Sequence, residues 1–433
     1  MSVEMKDSGV AWIGEIPNDW KISLLSSLFF EHSLKNIGMQ ENNLLSLSYG
    51  KIIRKNIDEN GGLLPASFEG YNIISPNDIV FRLTDLQNDK RSLRTGLCME
   101  KGIITSAYIT IRKRDNNLSS RYFHYLLHSY DECKVFYGIG NGVRQGMNYQ
   151  DLRKLLLTFP PTKEEQSRIA NFLDKKCAEI DELIALQEQM IAQLNTYKQA
   201  VITETVTKGL DPNVKMKDSG VEWIGEIPEH WEVKRIKNVC NCLGRIGFRG
   251  YTNDDMVQEG EGAITLSPSN MKNMTMDYSK CSYLSWNKYY ESPEIQIQVG
   301  DVLFVKTGST YGKSSYVHEI PMECTINPQI ICFKDHRESA KFLNYLLNTP
   351  MAKGQVDITV VGGTIPTIAQ SKIINYSFAF PPLSEQQSIA QYLDRKCKEI
   401  DELIFIKKEK IEHLKAYKKS VIFEYVTGKK ETL

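Results

Sequence analysis

Met5-Lys6-Asp7-Ser8-Gly9-Val10-Ala11-Trp12-Ile13-Gly14-Glu15-Ile16-Pro17 returns as Met216-Lys217-Asp218-Ser219-Gly220-Val221-Glu222-Trp223-Ile224-Gly225-Glu226-Ile227-Pro228, identical at twelve of thirteen positions. Chance does not produce such a match, so the chain has to be read as two copies of one plan. Two more pairs follow. Phe159-Pro160-Pro161 recurs as Phe380-Pro381-Pro382, and Glu165-Gln166 through Asp181-Glu182-Leu183-Ile184 recurs as Glu385-Gln386 through Asp401-Glu402-Leu403-Ile404. The ending Tyr197-Lys198, Val201-Ile202, Glu204, Val206-Thr207 reappears as Tyr417-Lys418, Val421-Ile422, Glu424, Val426-Thr427. The offset is 211 at the first motif, 221 at Phe-Pro-Pro and 220 beyond it, so the stretch between differs in length and diverges in content. One frame carries two different interiors.

The interiors, roughly 20–158 and 231–379, mix short apolar runs with Gly, Asn, Asp and Ser. Asn77-Asp78-Ile79-Val80-Phe81 and Gly300-Asp301-Val302-Leu303-Phe304 predict a turn entering a buried strand, and short helices are expected at Arg121–Ser129 and Ser339–Leu347. This is a mixed α/β domain, twice. From Thr162 to Thr207, and again from Leu383 to Thr427, there is neither Gly nor Pro, which predicts one long helix each. Such a helix rises to about 65 Å. Ile180, Leu183, Gln187, Met190, Leu194, Tyr197 and Val201 alternate three and four apart, as in a coiled-coil seam. The second copy offers Ile400, Leu403, Lys407, Lys410, Leu414, Tyr417 and Val421, with Ile404 and Ile411 forming an apolar row one position over. Only Lys208–Val214 separates the first helix from the second opening motif, so the second domain lies at that helix's far end. The second helix then runs back, antiparallel, and the C-terminal segment is expected near the Met5 segment.

Composition sets bounds. The chain has 433 residues, 41% apolar and 24% charged, which suits a soluble protein with two cores. No apolar run would span a bilayer and the first residues are polar, so no membrane association and a cytoplasmic location are expected. Nine cysteines, with Cys240 and Cys242 one residue apart, do not form a zinc or redox spacing. Net charge is zero, with 19 basic and 17 acidic residues in 1–158 and 16 and 18 in 216–379, so any nucleic-acid surface must be a local patch.

The Asp-Ser-Gly-Val-x-Trp-Ile-Gly-Glu-Ile-Pro opening, the Gly300–Ser309 stretch with its weaker echo at Asn77–Asp85, and the Phe-Pro-Pro…Glu-Gln helix start occur in duplicate. Together they resemble the specificity subunit of type I restriction-modification systems over essentially the whole chain. The echo departs from the second copy at Leu83-Thr84-Asp85, where that copy has Lys306-Thr307-Gly308. The resemblance implies an α/β fold of two mixed α/β target-recognition domains separated by two long antiparallel coiled-coil helices, with a pseudo-twofold internal repeat. It places target-recognition domains at 1–160 and 213–381 and spacer helices at 161–212 and 382–433. It further implies a non-catalytic subunit that binds double-stranded DNA at a bipartite asymmetric site. Two methyltransferase subunits and a restriction/translocase subunit would be its partners, with S-adenosylmethionine and ATP/Mg held by them and no cofactor of its own.

Chemistry sought in the chain itself is sparse. The Pro-Pro pairs follow Phe and suit helix starts, not a methyltransferase loop. Gly308–Ser314 is one residue short of a phosphate loop but could present Lys306, Thr307 and Lys313 to a DNA backbone. A plain turn is the alternative. Gly138–Gly142 fails as a dinucleotide fingerprint. Of seven histidines only His124 and His128 share a helix face, without a third metal ligand. Candidate DNA contacts are Lys51, Arg54, Lys55, Arg82, Lys90, Arg91, Arg94 and Arg144 in the first interior, and Arg245, Arg249, Lys306, Thr307, Lys313 and Lys372 in the second. Arginine suits guanine edges and lysine suits phosphates. On the residues alone, a coiled-coil protein adapter without DNA specificity and a self-sufficient enzyme also stay open. Salt-sensitive duplex binding excludes the first, and methyl transfer by the chain alone would establish the second.

Overall fold

The repeated opening motif folds identically in both copies. Met5–Asp7 pairs antiparallel with Glu15–Pro17, and Met216–Asp218 with Glu226–Pro228. Asp7 and Asp218 each accept the amide of the glycine two residues on at 2.9 Å, a tight turn that uses Gly9 and Gly220 at positive φ. The computed structural model describes residues 4–55, 65, 67–84, 86, 93–138 and 146–432. They form two compact units, one of the chain up to Glu188 together with Lys408 onward, the other Gln189–Lys407. Each unit is thus a head plus one half of each long helix.

In the first head a four-stranded antiparallel sheet runs Phe29–Glu31, Ile109–Lys113, Ile79–Phe81, Thr95–Leu97. The second head repeats that order with Asn241–Gly244, Ile330–Lys334, Val302–Val305, Ser314–Tyr316. The turn read at Asn77-Asp78 and Gly300-Asp301 explains the shared entry into the central strand. Asn77 and Gly300 both have positive φ, and Asp78 and Asp301 are buried. Each aspartate meets a cation of the neighbouring strand, Arg112 at 2.7 Å and Lys334 at 2.8 Å, and accepts a backbone amide three residues upstream at 2.8 Å. A helix covers each sheet, Ser120–Glu132 and Ala340–Leu347. The outer layers differ. The first head carries the hairpin Leu45–Ser48/Lys51–Arg54 and the pair Asn72–Ile74/Gly102–Ile104. The second carries a four-stranded sheet in which Gly262–Leu266 and Cys324–Ile326 run parallel.

The long helices span Lys163–Lys208 and Leu383–Val426. They run antiparallel in each unit. In the first, the Phe172 and Tyr425 rings lie 4.3 Å apart and Asp181 pairs with Lys418; in the second, Lys198 pairs with Asp401 and Gly209 lies beside Glu385. The two ion pairs are the same pair, 220 residues apart in each partner. The fold class read from the sequence is therefore the one observed.

The seam needs one correction. Buried or half-buried positions are Leu173, Cys177, Ile180, Ile184, Gln187, Ile191, Leu194, Lys198 and Val201, matched by Leu393, Cys397, Ile400, Ile404, Lys407, Ile411, Leu414, Lys418 and Val421. Ile180, Leu194, Val201, Ile400, Leu414 and Val421 lie where expected. Leu183, Met190, Tyr197, Leu403 and Tyr417 do not; they are 37–50% exposed. The helices carry two adjacent apolar rows, and the pair buries the one through Ile184 and Ile191, which steps four then three from Ile180. The first unit also holds the chain's closure. Tyr122 Oη donates to the Val426 carbonyl at 2.9 Å, and Lys429 Nζ donates to the Glu15 carbonyl at 3.2 Å.

Candidate nucleic-acid interface

Strand pairing gathers four segments at one end of the second head's sheet. Val305 ends beside Ile330, and Gly244 ends beside Ile331, so residues 244–249, 306–313, 327–329 and 361–372 share that end. The backbone stitches them together. Lys306 N–H donates to Gln329 O at 2.8 Å, Ile368 N–H to Lys306 O at 2.8 Å and Gly308 N–H to Pro366 O at 2.9 Å. Val361 and Thr367 exchange two hydrogen bonds, making a small hairpin whose Gly362 has φ +101°. A side chain there would meet the Ile365 carbonyl at 2.7 Å, so glycine is required. Gln370 ties the hairpin's exit to Cys242 O at 2.7 Å.

These four segments contain Arg245, Arg249, Lys306, Lys313 and Lys372 and no acidic residue. In a chain of zero net charge this is a local excess of basic side chains, the kind of surface a nucleic-acid contact would require, although Arg245 within it is buried. Lys306 and Thr307 lie half-buried at the root of the Gly308–Gly312 turn, and Lys372 is exposed. Burial, with Lys272 nearby, pulls the Lys313 ammonium below the usual lysine range. Ser309 and Thr310 stand exposed between them. The Gly308–Lys313 stretch joins two strands and precedes no helix, unlike a phosphate loop. Arg249 faces Glu294 at 3.3 Å. Arg245 has to be withdrawn as a base contact. It is 7% exposed, its guanidinium donating to Ile326 O and Thr325 Oγ1 with the Tyr251 ring 5.1 Å away, so it holds the loop from beneath.

The corresponding end of the first head has the same anchor. Met147 N–H donates to Leu83 O at 2.9 Å, as Ile368 does to Lys306. Arg82 is half-buried there. Arg94 is a second correction: it is fully buried, its backbone amide held by the Asp131 carboxylate and its guanidinium by Thr84 O at 3.2 Å, so it braces the fold and cannot reach a base. Lys51, Arg54 and Lys55 are exposed on the outer hairpin, whose turn presents Tyr49 at 76% exposure; Arg54 chelates Glu100. Lys90, Arg91 and Arg144 lie outside the described residues, as do Asp85 and the Ile139–Gly142 part of the glycine-rich stretch.

The residue reading missed the Val361–Thr367 hairpin, which carries no arginine or lysine. Val361 at its base and Ile365 in its loop are 65% and 63% exposed, apolar groups of the kind that meet thymine methyls. The Gly-Gly-Thr-x-Pro string was the available signal. Several thiols are held in their protonated form. Burial pushes Cys98 up to about 11 and Cys240, Cys242 and Cys324 up to about 12. No cluster of metal-ligating side chains occurs among the described residues. His124 and His128 instead lie half-buried on the covering helix of the first head, their pKa values lowered by burial to about 3 and about 4.

Comparison with known proteins agrees with this geometry. The chain is 25% identical to the type I restriction enzyme MjaVIII specificity subunit of Methanocaldococcus jannaschii over 76% of its own length and 75% of the relative's. It is also 25% identical to that organism's putative MjaX specificity subunit, over 96% and 95%. A solved structure described as showing complex assembly and conformational transition of the type I R-M system superposes with a TM-score of 0.71 at 16% identity, over 95% of this chain and 99% of that one. The HsdS subunit from Thermoanaerobacter tengcongensis gives 0.53 at 16% identity, over 95% and 98%. The model of the type I restriction modification DNA specificity domain matches residues 98–196 and 228–415, about two thirds of the chain. With the same frame on both sides of two unlike sheet ends, the chain belongs to the family of type I restriction-modification DNA specificity subunits.

Proposed function

We propose that each head reads one half of a bipartite, asymmetric site in double-stranded DNA, and that the helix pair serves as both spacer and dock. The observation carrying this is the single chassis bearing two different tips: identical sheet order, identical loop anchor, different loop content. Two heads on one duplex favour half-sites about one helical turn, roughly 34 Å, apart. On this reading target-recognition domains occupy 1–160 and 213–381 and spacer helices 161–212 and 382–433. Lys51, Arg54, Lys55, Arg82, Arg249, Lys306, Thr307 and Lys313 remain candidate contacts.

Catalysis belongs, on this proposal, to two methyltransferase subunits and a restriction/translocase subunit in the cytoplasm, which bring S-adenosylmethionine and ATP/Mg. A second apolar row supports docking. Leu183, Leu186, Met190 and Tyr197 on one helix, and Leu403, Ile406 and Tyr417 on the other, are 37–60% exposed although the seam is already filled. Among the described residues no helix is long and apolar enough to cross a membrane.

Exchanging residues 20–158 for the interior of another specificity subunit, followed by methylation mapping, tests the division of labour. One half-site should change and the other should persist. Change in both halves, or in neither, would sink the proposal.

A further inference from the structure

The strongest likeness between the two units, apart from the opening motif, lies where each head meets its helix. In the first, Asp174 accepts from Tyr125 Oη at 2.7 Å and pairs with Arg121. In the second, Asp394 accepts from Tyr345 Oη at 2.8 Å and from Lys341 Nζ at 2.6 Å. All three positions are offset by 220, although the heads around them have diverged. Two turns earlier, buried Gln166 accepts from Ser119 N–H at 3.0 Å while donating to Pro160 O. Gln386 does the same with Ser339 N–H at 2.9 Å and Pro381 O at 2.8 Å. The glutamine fixes the first turn of the head helix to the root of the long helix, and the aspartate fixes its middle. Two attachment points stop the head from swivelling. In the second unit the aspartate's bonds cross the wall of an open cleft of about 800 Å³, lined also by Lys198, Tyr316 and Phe405. Beneath these bonds the head and the helices share one apolar core through Ile389, Leu393 and Cys397, which packs the two together, while the polar fastening sets the orientation.

We infer that Asp174 and Asp394 are positioning residues for site selection: they fix the rotation of each head about its spacer and thereby the number of base pairs accepted between half-sites. This rests on the bipartite reading above. One base pair more moves a half-site by about 3.4 Å and turns it by roughly a tenth of a revolution, so only a head held in orientation rejects the wrong gap. Neither aspartate touches DNA in this assignment; each acts through its tyrosine and its cation.

The test uses the complete methyltransferase complex carrying Asp394→Ala, Asp174→Ala or Tyr345→Phe, on duplexes whose gap is native, one pair shorter or one pair longer. Expected is a loss of gap preference of about tenfold, comparable with a mismatched pair, with half-site sequences unchanged and Asp394→Glu restoring the preference. A variant complex that keeps its gap preference, or loses activity equally at all three gaps, overturns the inference. A native complex indifferent to the gap overturns the bipartite reading instead. Tyr345→Phe, which removes one hydroxyl, covers the case in which an aspartate variant fails to fold.

Discussion

Single side chains in this protein divide into those that hold a head together and those that face out of it, and side-chain type does not tell which. Arg94 and Arg245 looked like base readers in the sequence because arginine is rarely buried. Folding put both beneath the loops they were expected to serve. Asp301 shows what such inward charges are worth. With Lys334 it forms a pair in which both side chains are nearly inaccessible, so Asp301→Ala, leaving the ammonium unpaired, should cost about 3–5 kcal/mol in chemical denaturation. The exposed Arg54–Glu100 pair, screened by solvent, should make no resolvable contribution in the same measurement. His124 and His128 predict a pH dependence. Burial lowers both pKa values, to about 3 and about 4, with Lys418 and Lys419 adding to the effect at His128. The unfolded chain binds these protons near pH 6.5 while the folded head refuses them. Their contribution is therefore complete above pH 6.5 and lost as pH falls toward 3. Asp131, raised to about 6 by burial, opposes this between about pH 4 and 6. Thermal melts of His128→Gln across pH 7 to 4 should fall less steeply than those of the native chain; parallel curves would refute the assignment.

The long helices were legible in outline and misread in detail. Absence of Gly and Pro over both stretches fixed their extent, and the duplicated Phe-Pro-Pro fixed their starts. Seam assignment failed at Leu183, Met190, Tyr197, Leu403 and Tyr417 because two apolar rows lie side by side, and periodicity alone does not say which the partner covers. Lys407 was a clue, since the aliphatic part of a lysine can line a seam while its ammonium reaches solvent. Ile411→Ala should therefore cost about 2–5 kcal/mol of stability. Tyr417→Ala should leave the melting curve of the isolated chain nearly unchanged yet weaken co-purification with a methyltransferase subunit. Equal destabilisation by the two would contradict the observed seam. The heads were legible as far as their central strands and covering helices, where local turn chemistry and burial dominate. Their outer sheets were not, because pairings such as Gly262–Leu266 with Cys324–Ile326 join segments about sixty residues apart that nothing local specifies.

Taken whole, the chain is a repeat whose second copy ends where its first begins. Gly428 packs so closely on Pro17 and Trp20 that a side chain would come within 2.3 Å of Pro17, as Gly209 packs near Trp231 in the other unit. The segment after each long helix thus meets the opening motif that follows or precedes it in the same way. A permuted chain, with Lys430 joined to Glu4 by about ten flexible residues and opened between 209 and 214, should fold with a melting temperature within a few degrees of the native one and methylate the same sites. Loss of folding would mean that the Lys208–Val214 connection does more than link.

The glutamines at 166 and 386 have a practical implication for anyone grafting heads between such proteins. Each satisfies an amide of its head from outside that head's interior, so a head excised at residue 158 or 379 leaves behind the acceptor for its own helix start. Transplants that carry the donor's sequence through Asp174 or Asp394 take the whole fastening with them, whereas shorter ones depend on the recipient supplying an identical socket.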